Sequence, residues 1–306
     1  MSRTCRVCLQ PVANDDYHPR CLRALFGTAK VPQLNLTLGK LHTAALAMLG
    51  HASLSGVQKK LSVNLSTDRE TLQVAIDGGR YILKPQTGDF PALPENEHLT
   101  TRLARLVAID VAPCGLVALD DGSLAYVVRR FDRLRDGRKV RQEDFCQLDE
   151  KSPKEKYDGS AELCARLLRK YVSEPLIELL KLYRLLVFGW WSGNGDMHLK
   201  NFSVLIDEAG LVRLTPAYDL VCSQLVIPGD QLALPVKGKK DRLDREVWLQ
   251  LAEYFQLSER AAKRVLDRQA SVLDRATGMI AASFLPDDQK ARYREIIAER
   301  TAALVN

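Results

Sequence analysis

The chain of 306 residues carries 44 Lys and Arg against 38 Asp and Glu, a formal net charge of +6, and 46% of its residues are hydrophobic. This composition is that of an ordinary globular protein and excludes a collagen-like, low-complexity or largely disordered chain. The length allows two domains or one large domain with two lobes. The small positive excess suits a phosphate-bearing ligand but does not by itself indicate nucleic acid.

Hydropathy predicts neither a membrane span nor a secretory signal. The most apolar run covers residues 176–191 and is interrupted at helical spacing by Glu178, Lys181 and Arg184. This run therefore predicts a buried amphipathic helix. The first residues lack the apolar core of a signal peptide. We expect a cytoplasmic protein with no membrane partner, in which the seven cysteines are reduced.

Strand patterns dominate the first 130 residues. Apolar alternation predicts antiparallel strands, with turns rich in Asp and Gly, at residues 60–83, 115–119 and 124–128. Two helices are predicted in the same region, at residues 37–49 and 95–108. The first 30 residues hold Cys, His and Arg side chains and show no clear periodicity. The pattern predicts a small β-rich lobe over residues 1–130.

Helical periodicity takes over after Asp132. Five helices are predicted, at residues 160–171, 173–191, 244–255, 258–275 and 285–304. One hairpin interrupts them between Phe202 and Leu214. Strands first and helices afterwards predict an α+β fold with two lobes. The second lobe spans residues 131–306, and a hinge is predicted near residues 129–132.

Three polar features lie at the ends of the first elements. The segment Ser53–Lys60 contains a Ser/Gly turn and two lysines, so its backbone N–H groups could approach an anion, although an ordinary turn has the same composition. Lys84 closes a predicted strand, and Glu97 lies in the first turn of the next helix. Solvation and the helix dipole explain each of them alone. The two could also pair, with the ammonium group holding phosphates.

The fourth feature is the loop 193–201, which reads GNGDMHLKN. Asp196 and Asn201 lie five residues apart in it, and Asp219 follows the predicted hairpin. Protein kinases use this layout, in which the first Asp accepts the substrate hydroxyl proton and the Asn and second Asp hold Mg²⁺. The spacing of Asp and Asn alone arises often by chance. The complete order of strand Lys, helix Glu, loop Asp and Asn, and hairpin Asp is much rarer and predicts phosphoryl transfer.

These segments resemble the HipA family of bacterial Ser/Thr protein kinases. The matching stretches occur in the family's order between Ser53 and Leu220, and they are SLSGVQKKL, YILKPQ, ENEH, VVRRFDR, QEDF, GNGDMHLKNFSVL and LTPAYDL. The chain is most similar to the short HipT-type toxins, in which a separate protein, HipS, supplies the N-terminal part of full-length HipA. The resemblance implies a two-lobed protein-kinase-like fold with a small β-rich N-lobe and a helical C-lobe.

The resemblance also implies a role for each matching residue. Asp196 is the catalytic base, and Lys200 neutralises developing charge on the γ-phosphate. The implied ATP-binding residues are Ser55, Gly56, Val57, Gln58, Lys84, Glu97, Arg129, Phe131, His198, Asn201 and Asp219. Asn201 and Asp219 are the implied Mg²⁺ ligands, and the backbone of Arg129 to Phe131 is the implied adenine contact. Ser53 and Ser55 are the implied autophosphorylation sites, where a phosphate would oppose nucleotide binding.

The implied function is that of the toxin in a HipBST- or HipBA-type toxin–antitoxin system. Such a kinase uses Mg-ATP to phosphorylate an aminoacyl-tRNA synthetase and thereby inhibits translation and growth. The implied partners are a HipS-like small antitoxin and a HipB-like DNA-binding protein, through which DNA is contacted only indirectly. Two alternatives stay open. A small-molecule or lipid kinase uses the same catalytic residues, and a degenerate kinase could act as a binding or co-repressor module.

Three cysteines and a histidine near the N-terminus have the spacing of metal ligands. Cys5-x2-Cys8 is followed by His18-x2-Cys21, which suits a small tetrahedral Zn²⁺ site of structural type. The same four residues could also be free side chains in a loop. Both interpretations are compatible with the kinase chemistry, which does not need zinc.

Overall fold

The structure is a computed structural model, which describes residues 3–34, 38–39, 60–75, 78–134 and 136–305. The chain divides into two compact units. The first comprises Met1–Leu99, Ala112–Arg138 and Ala282–Pro286, and the second Thr100–Val111, Lys139–Ala281 and Asp287–Asn306.

This division differs from a single boundary at residue 130 because residues 100–111 belong with the helical unit. The Thr100 Oγ1 and Tyr293 Oη atoms lie 2.9 Å apart, and both are buried. The Arg268 guanidinium donates a hydrogen bond to the Leu106 carbonyl at 2.9 Å. Side-chain contacts of this kind join segments that are distant in sequence, so the local pattern does not predict them.

The N-terminal segment of the first unit, residues 3–27, is ordered where the sequence shows no periodicity. Strands β1 (Arg3–Thr4) and β2 (Pro11–Val12) form a short antiparallel hairpin. Helix α1 (Pro19–Phe26) follows, with Pro19 in its first turn, where the missing N–H costs nothing. Gly27 has φ +74° and donates its N–H to the Arg23 carbonyl, which ends the helix.

A five-stranded antiparallel sheet forms the body of the first unit. Its strands are β3 (Leu61–Leu65), β4 (Leu72–Val74), β5 (Tyr81–Pro85), β6 (Cys114–Ala118) and β7 (Leu124–Arg129). They lie in the order β4-β3-β5-β7-β6, so β5 is central and β6 is at one edge among the strands described. The predicted strands are confirmed. Alternate side chains such as Leu61, Val63 and Val127 share one buried core with Leu22 and Leu25 of α1.

Helix α2 (Leu93–Ala104) connects the two units along the chain. The sequence predicts a helix over residues 95–108, but the α-helical part ends at Ala104. A 3₁₀ turn covers Arg105–Val107, and Ala108 closes it with φ +57°. The predicted helix at residues 37–49 lies almost wholly outside the described residues.

Helices dominate the second unit. They are α3 (Phe145–Leu148), α4 (Ala161–Tyr171), α5 (Pro175–Trp191), α6 (Arg245–Tyr254), α7 (Glu259–Ser271), α8 (Leu273–Ala281) and α9 (Asp287–Val305). The chain turns at Val272, so the helix predicted over residues 258–275 is in fact the pair α7 and α8. The predicted hairpin is confirmed as β9 (Ser203–Ile206) and β10 (Val212–Leu214), and β8 (Gln142–Asp144) joins it in the order β10-β9-β8.

Most residues of helix α5 are buried in the core of the second unit. The Trp191 indole N–H donates to Thr301 Oγ1 at 2.8 Å, and the Tyr183 hydroxyl donates to the Trp248 carbonyl at 3.0 Å. The predicted burial of this apolar run is confirmed for most of its length, whereas Leu176 and Ile177 at its start are 61% and 50% exposed. Of the helices in the described part of the chain, none combines the length and apolar character that crossing a membrane requires.

Candidate active site

A buried ion pair joins Lys84 on β5 to Glu97 on α2. The Lys84 Nζ atom donates to Glu97 Oε1 at 2.7 Å. Only 6% of Lys84 and 1% of Glu97 are exposed. The ammonium also lies 5.8 Å from the centre of the Tyr126 ring, within cation–π range. The pairing that the sequence suggested is present, and burial makes it much more costly to break than a surface pair.

The segment at residues 129–131 closes strand β7 of the first unit. The Arg129 N–H donates to the Pro113 carbonyl and the Arg130 N–H donates to the Arg80 carbonyl, each at 2.9 Å. Both donors are therefore engaged in the sheet region. An adenine contact from Arg129 or Arg130 would have to use a carbonyl oxygen as acceptor.

In the second unit, local turns shape the loop 193–201 immediately after α5. Gly193 reverses the chain with φ +77°, a conformation that favours glycine. The Asn194 Oδ1 atom accepts the Asp196 N–H at 3.1 Å, and the Gly195 N–H donates to Ser223 Oγ at 2.7 Å. These bonds leave the Asp196 side chain exposed at the surface of this unit.

Backbone and side-chain hydrogen bonds hold the second half of the loop against β9. The Asn201 Oδ1 atom accepts the His198 N–H at 3.0 Å, and the Tyr218 hydroxyl donates to the Lys200 carbonyl at 2.8 Å. Tyr218 Oη also lies 2.6 Å from Ser203 Oγ. Because Tyr218 is anchored to the loop in this way, the backbone of the next residue, Asp219, is held near the loop. Asp219 adopts φ +53°, which is uncommon for a residue with a side chain.

The imidazole of His198 feels the negative charges of two carboxylates, those of Asp196 and Asp219. Burial lowers the pKa of its imidazole, and the charges of Asp196 and Asp219 oppose that shift only in part. Its Nδ1 atom is buried and has no hydrogen-bond partner among the described residues.

Asn201 of this loop and Asp219, which follows the β9–β10 hairpin, carry oxygen atoms of the kind that binds Mg²⁺. Mg²⁺ prefers carboxylate and amide oxygens, which Asp219 and Asn201 supply. The Asn201 oxygen accepts one N–H and has a second lone pair. This donor set is the one that protein kinases use.

Lys200 is held in an ion pair by a residue that the sequence did not assign to the site. Its Nζ atom donates to Asp144 Oδ2 at 2.8 Å. Asp144 in turn caps α3 by accepting the Gln147 N–H at 2.9 Å. The only sequence signal was the stretch QEDF, which matched the family without a defined role.

Sequence reasoning also missed Tyr157, which contacts the predicted base directly. Its hydroxyl donates to Asp196 Oδ1 at 2.7 Å, and its ring meets His198 edge-on at 5.2 Å between centres. Burial, the hydrogen bond to Asp196 and the carboxylate charge all raise the pKa of this phenol. The preceding residue, Lys156, accepts the Leu199 N–H at 3.0 Å, which fixes this segment on the loop. A separation of 39 residues gives no local pattern that could have revealed the contact.

The four residues near the N-terminus that the sequence predicts as metal ligands lie close together in the first unit. One ligand atom from each of Cys5, Cys8, His18 and Cys21 lies within 4.8 Å of all the others. Their thiols are not joined by disulfides. Cysteine sulfur and histidine nitrogen are the ligands of structural Zn²⁺ sites, so the cluster is compatible with that metal.

The predicted loop residues Ser53, Ser55, Gly56, Val57 and Gln58 lie outside the described residues.

Comparison with known proteins identifies the family. The HipA-like C-terminal domain matches residues 52–277. Two relatives from Sinorhizobium fredii strain NGR234, named "Putative kinase Y4mE" and "Putative kinase Y4dM", are 37% identical over 177 residues and 33% identical over 242. The matches cover 55% and 73% of this chain, but 42% and 58% of those relatives. The chain therefore spans about half the length of these curated relatives. A relative named "Putative kinase" from Haemophilus influenzae is 27% identical over 256 residues, which cover 78% of this chain and 74% of that protein.

The solved structures that share the fold include the following two. One is a chain from the complex of the Shewanella oneidensis MR-1 toxin–antitoxin proteins HipA and HipB with operator DNA. It has a TM-score of 0.68 and 23% identity, and the match covers 81% of this chain and 64% of that one. The other is the Helicobacter pylori proinflammatory kinase CtkA, with a TM-score of 0.55, 14% identity and coverage of 79% and 93%. The α+β, kinase-like fold class is confirmed, and the chain belongs to the HipA-like C-terminal domain family.

Proposed function

We propose that the protein is a Mg-ATP-dependent kinase of the HipA type that phosphorylates serine or threonine hydroxyls of proteins. The observation that carries the proposal is the loop 193–201, which exposes Asp196 and holds Asn201 next to the segment that presents Asp219. The buried Lys84–Glu97 pair of the first unit supports it independently. Together these residues supply the base, the metal ligands and the phosphate-binding ammonium that phosphoryl transfer requires.

The proposed reaction assigns one task to each group. Asp196 accepts the proton of the substrate hydroxyl as its oxygen bonds to the γ-phosphorus and the bond to ADP breaks. Lys84, oriented by Glu97, binds phosphate oxygens of the nucleotide. Bound Mg²⁺, with Asn201 and Asp219 as ligands, supplies positive charge to the phosphates. The Tyr157 hydroxyl already hydrogen-bonds to Asp196 at 2.7 Å, which supports the idea that this carboxylate accepts a hydroxyl.

Two further assignments follow from the resemblance. Lys200 would stabilise the γ-phosphate by exchanging its present partner, Asp144, for phosphate oxygens. Ser53 and Ser55 would be autophosphorylated, and the added charge would repel ATP. Arg129, Phe131 and His198 complete the proposed nucleotide contacts, and Cys5, Cys8, His18 and Cys21 are proposed to hold a structural Zn²⁺ ion.

The proposed biological role is that of a HipT-like toxin. The substrate would be an aminoacyl-tRNA synthetase, and the partners would be a HipS-like antitoxin and a HipB-like DNA-binding protein. The order of the matching motifs supports this role, as does the likeness to a chain from a toxin–antitoxin complex with DNA.

Radiolabelled ATP added to a cell extract tests the proposal. The wild-type chain with Mg²⁺ should transfer label to a protein band, whereas Asp196→Ala should not. Asp274→Ala is the matched control, because Asp274 is an exposed aspartate on α8 that is outside the loop. Label found only in small molecules would favour a small-molecule kinase. No transfer to any acceptor, the chain itself included, would refute kinase activity and favour a binding or co-repressor module.

A further inference from the structure

The distances from His18 to two of the cysteines are close to those in a tetrahedral zinc site, and all four ligand atoms of the cluster lie within 4.8 Å of one another. Zn–S bonds of about 2.3 Å and Zn–N bonds of about 2.0–2.1 Å place neighbouring ligand atoms about 3.6–3.8 Å apart. The His18 Nδ1 atom lies 3.4 Å from Cys8 Sγ and 3.9 Å from Cys21 Sγ, which bracket that range. The His18 N–H also donates to Cys5 Sγ at 3.4 Å, so the fourth ligand belongs to the same cluster.

The hydrogen bonding of His18 prepares its ring for a metal. Its Nε2 atom lies 3.1 Å from the Pro11 carbonyl oxygen, which can only accept a hydrogen bond. Nε2 must therefore carry the proton, and Nδ1 presents its lone pair to the cysteine sulfurs. A backbone carbonyl that fixes the ring in this way is a regular feature of metal-bound histidines.

The loop between Cys5 and Cys8 is bonded to the edge of the five-stranded sheet. The Leu116 N–H of β6 donates to the Arg6 carbonyl, and the Tyr17 hydroxyl donates to the Leu116 carbonyl, both at 2.9 Å. Gly115 allows this close approach, because a Cβ atom there would come within 2.9 Å of Val7 Cγ2. The cluster is thus packed onto the sheet that carries Lys84.

A second contact leads from the same loop to the helix that carries Glu97. The His98 Nε2–H donates to the Val7 carbonyl at 3.0 Å, and His98 is only 1% exposed. Val7 lies between the two cysteine ligands, and His98 directly follows Glu97. This hydrogen bond therefore links the Cys5–Cys8 loop to the turn of α2 that carries Glu97, the partner of Lys84.

We infer that zinc bound by Cys5, Cys8, His18 and Cys21 fixes the Val7 carbonyl as an acceptor for His98 and thereby positions the Lys84–Glu97 pair. His98 is a positioning residue in this scheme. Loss of the metal releases the loop, weakens the hold on the start of α2 and lowers the affinity for Mg-ATP. The effect on nucleotide affinity rests on the proposed kinase function, whereas the effect on α2 does not.

Metal content is the first measurement, made on the full chain purified without a histidine tag. Elemental analysis should find about one zinc per chain in the wild type and a stoichiometric loss in Cys8→Ser and Cys21→Ser. Cys164→Ala is the control, because Cys164 is a fully buried cysteine on α4 outside the cluster and should leave the zinc content unchanged. A wild-type chain without zinc would overturn the inference.

Hydrogen exchange then tests the link to α2 without any nucleotide. Removal of zinc by a chelator should speed amide exchange at residues 93–99 about tenfold, while residues 175–191 of α5 stay protected. His98→Ala should keep its zinc and yet show the same faster exchange, and His98→Gln, which keeps an N–H donor, should restore protection. Equal loss of protection in both helices would mean that zinc supports the whole fold and would overturn the specific link.

Nucleotide binding is the last measurement. Zinc removal and His98→Ala should each weaken Mg-ATP binding about tenfold and raise the KM for ATP with little change in kcat. If the zinc-loaded wild type binds no Mg-ATP, the proposed kinase function fails while the exchange experiment still decides the role of zinc. If Cys8→Ser fails to fold, chelation of the wild type and His98→Ala decide the result. Unchanged exchange at residues 93–99 in both would overturn the inference.

Discussion

The buried Lys84–Glu97 pair allows stability and catalysis to be separated by substitution. Lys84→Met removes the ammonium 2.7 Å from Glu97 Oε1 and leaves a carboxylate on a residue that is only 1% exposed. Removing one partner of a buried ion pair costs about 3–5 kcal/mol, whereas replacing both by apolar residues is often neutral. Lys84→Met should therefore lose about 3–5 kcal/mol of unfolding free energy. The double variant Lys84→Met/Glu97→Leu should recover most of that loss.

Thermal unfolding, followed by circular dichroism, measures the effect. A loss of this size lowers the midpoint by about 10 °C. The control is the exposed pair between Lys30 and Glu70, whose side chains are 70% and 52% exposed. Lys30→Met should leave the midpoint unchanged, because water already solvates both charges.

Activity should not follow stability in the double variant. The pair of apolar side chains restores packing but supplies no ammonium for phosphates, so neither Lys84→Met nor the double variant should transfer phosphate. The reasoning is refuted if Lys84→Met is as stable as the wild type, or if the double variant is no more stable than the single one. A double variant that phosphorylates normally would refute the proposed role of Lys84.

Three further predictions use residues in or near the site. Asp196→Asn should lower kcat about 10²–10⁴-fold with ATP affinity retained, as measured by steady-state kinetics and calorimetry, and unchanged turnover would exclude Asp196 as the base. Tyr157→Phe removes the hydroxyl bound to Asp196 and should lower the KM for the protein substrate by up to about tenfold, while a raised KM would contradict competition. Burial raises the pKa of Glu95 in the folded chain, so the carboxyl group loses its proton at a lower pH when the chain is unfolded. The free energy of unfolding therefore falls as the pH rises above about 4.5. Glu95→Gln should therefore raise the thermal midpoint at neutral pH but not near pH 4, and an equal gain at both pH values would contradict this linkage.

Local periodicity predicted the elements whose burial alternates along the chain. The strands around Leu61 and Leu83 have one buried face, and their period of two is visible in the sequence. The hairpin β1–β2 and strand β8 were missed because their sequences, RT, PV and QED, show no apolar alternation, whereas the equally short strands β4 (LQV) and β10 (VRL) do. β8 reads Gln-Glu-Asp and is a strand only because it pairs with β9.

The same limit applies to the site. The spacing of Asp196 and Asn201 was readable because both belong to one loop, whose shape depends on local turns. Tyr157 and Asp144 contact that loop from 39 and 56 residues away, and only tertiary packing brings them there. Their own residue types gave no signal, since tyrosines and aspartates occur throughout the chain.

Asp144 and Tyr157 also bear on the proposed binding of substrates at the loop 193–201. Asp144 accepts a hydrogen bond from the Lys200 ammonium at 2.8 Å. Tyr157 donates one to the Asp196 carboxylate at 2.7 Å. If a substrate hydroxyl displaces Tyr157, Asp196 exchanges one hydroxyl donor for another. If Lys200 moves to a phosphate, it exchanges the Asp144 carboxylate for another anion. Since a hydrogen bond to a charged group contributes about 1.5–3 kcal/mol net, each exchange breaks one such bond and forms another of similar free energy. In the proposed mechanism the two contacts therefore compete with substrates without blocking them, and they hold Asp196 and Lys200 in orientations that suit a hydroxyl and a phosphate.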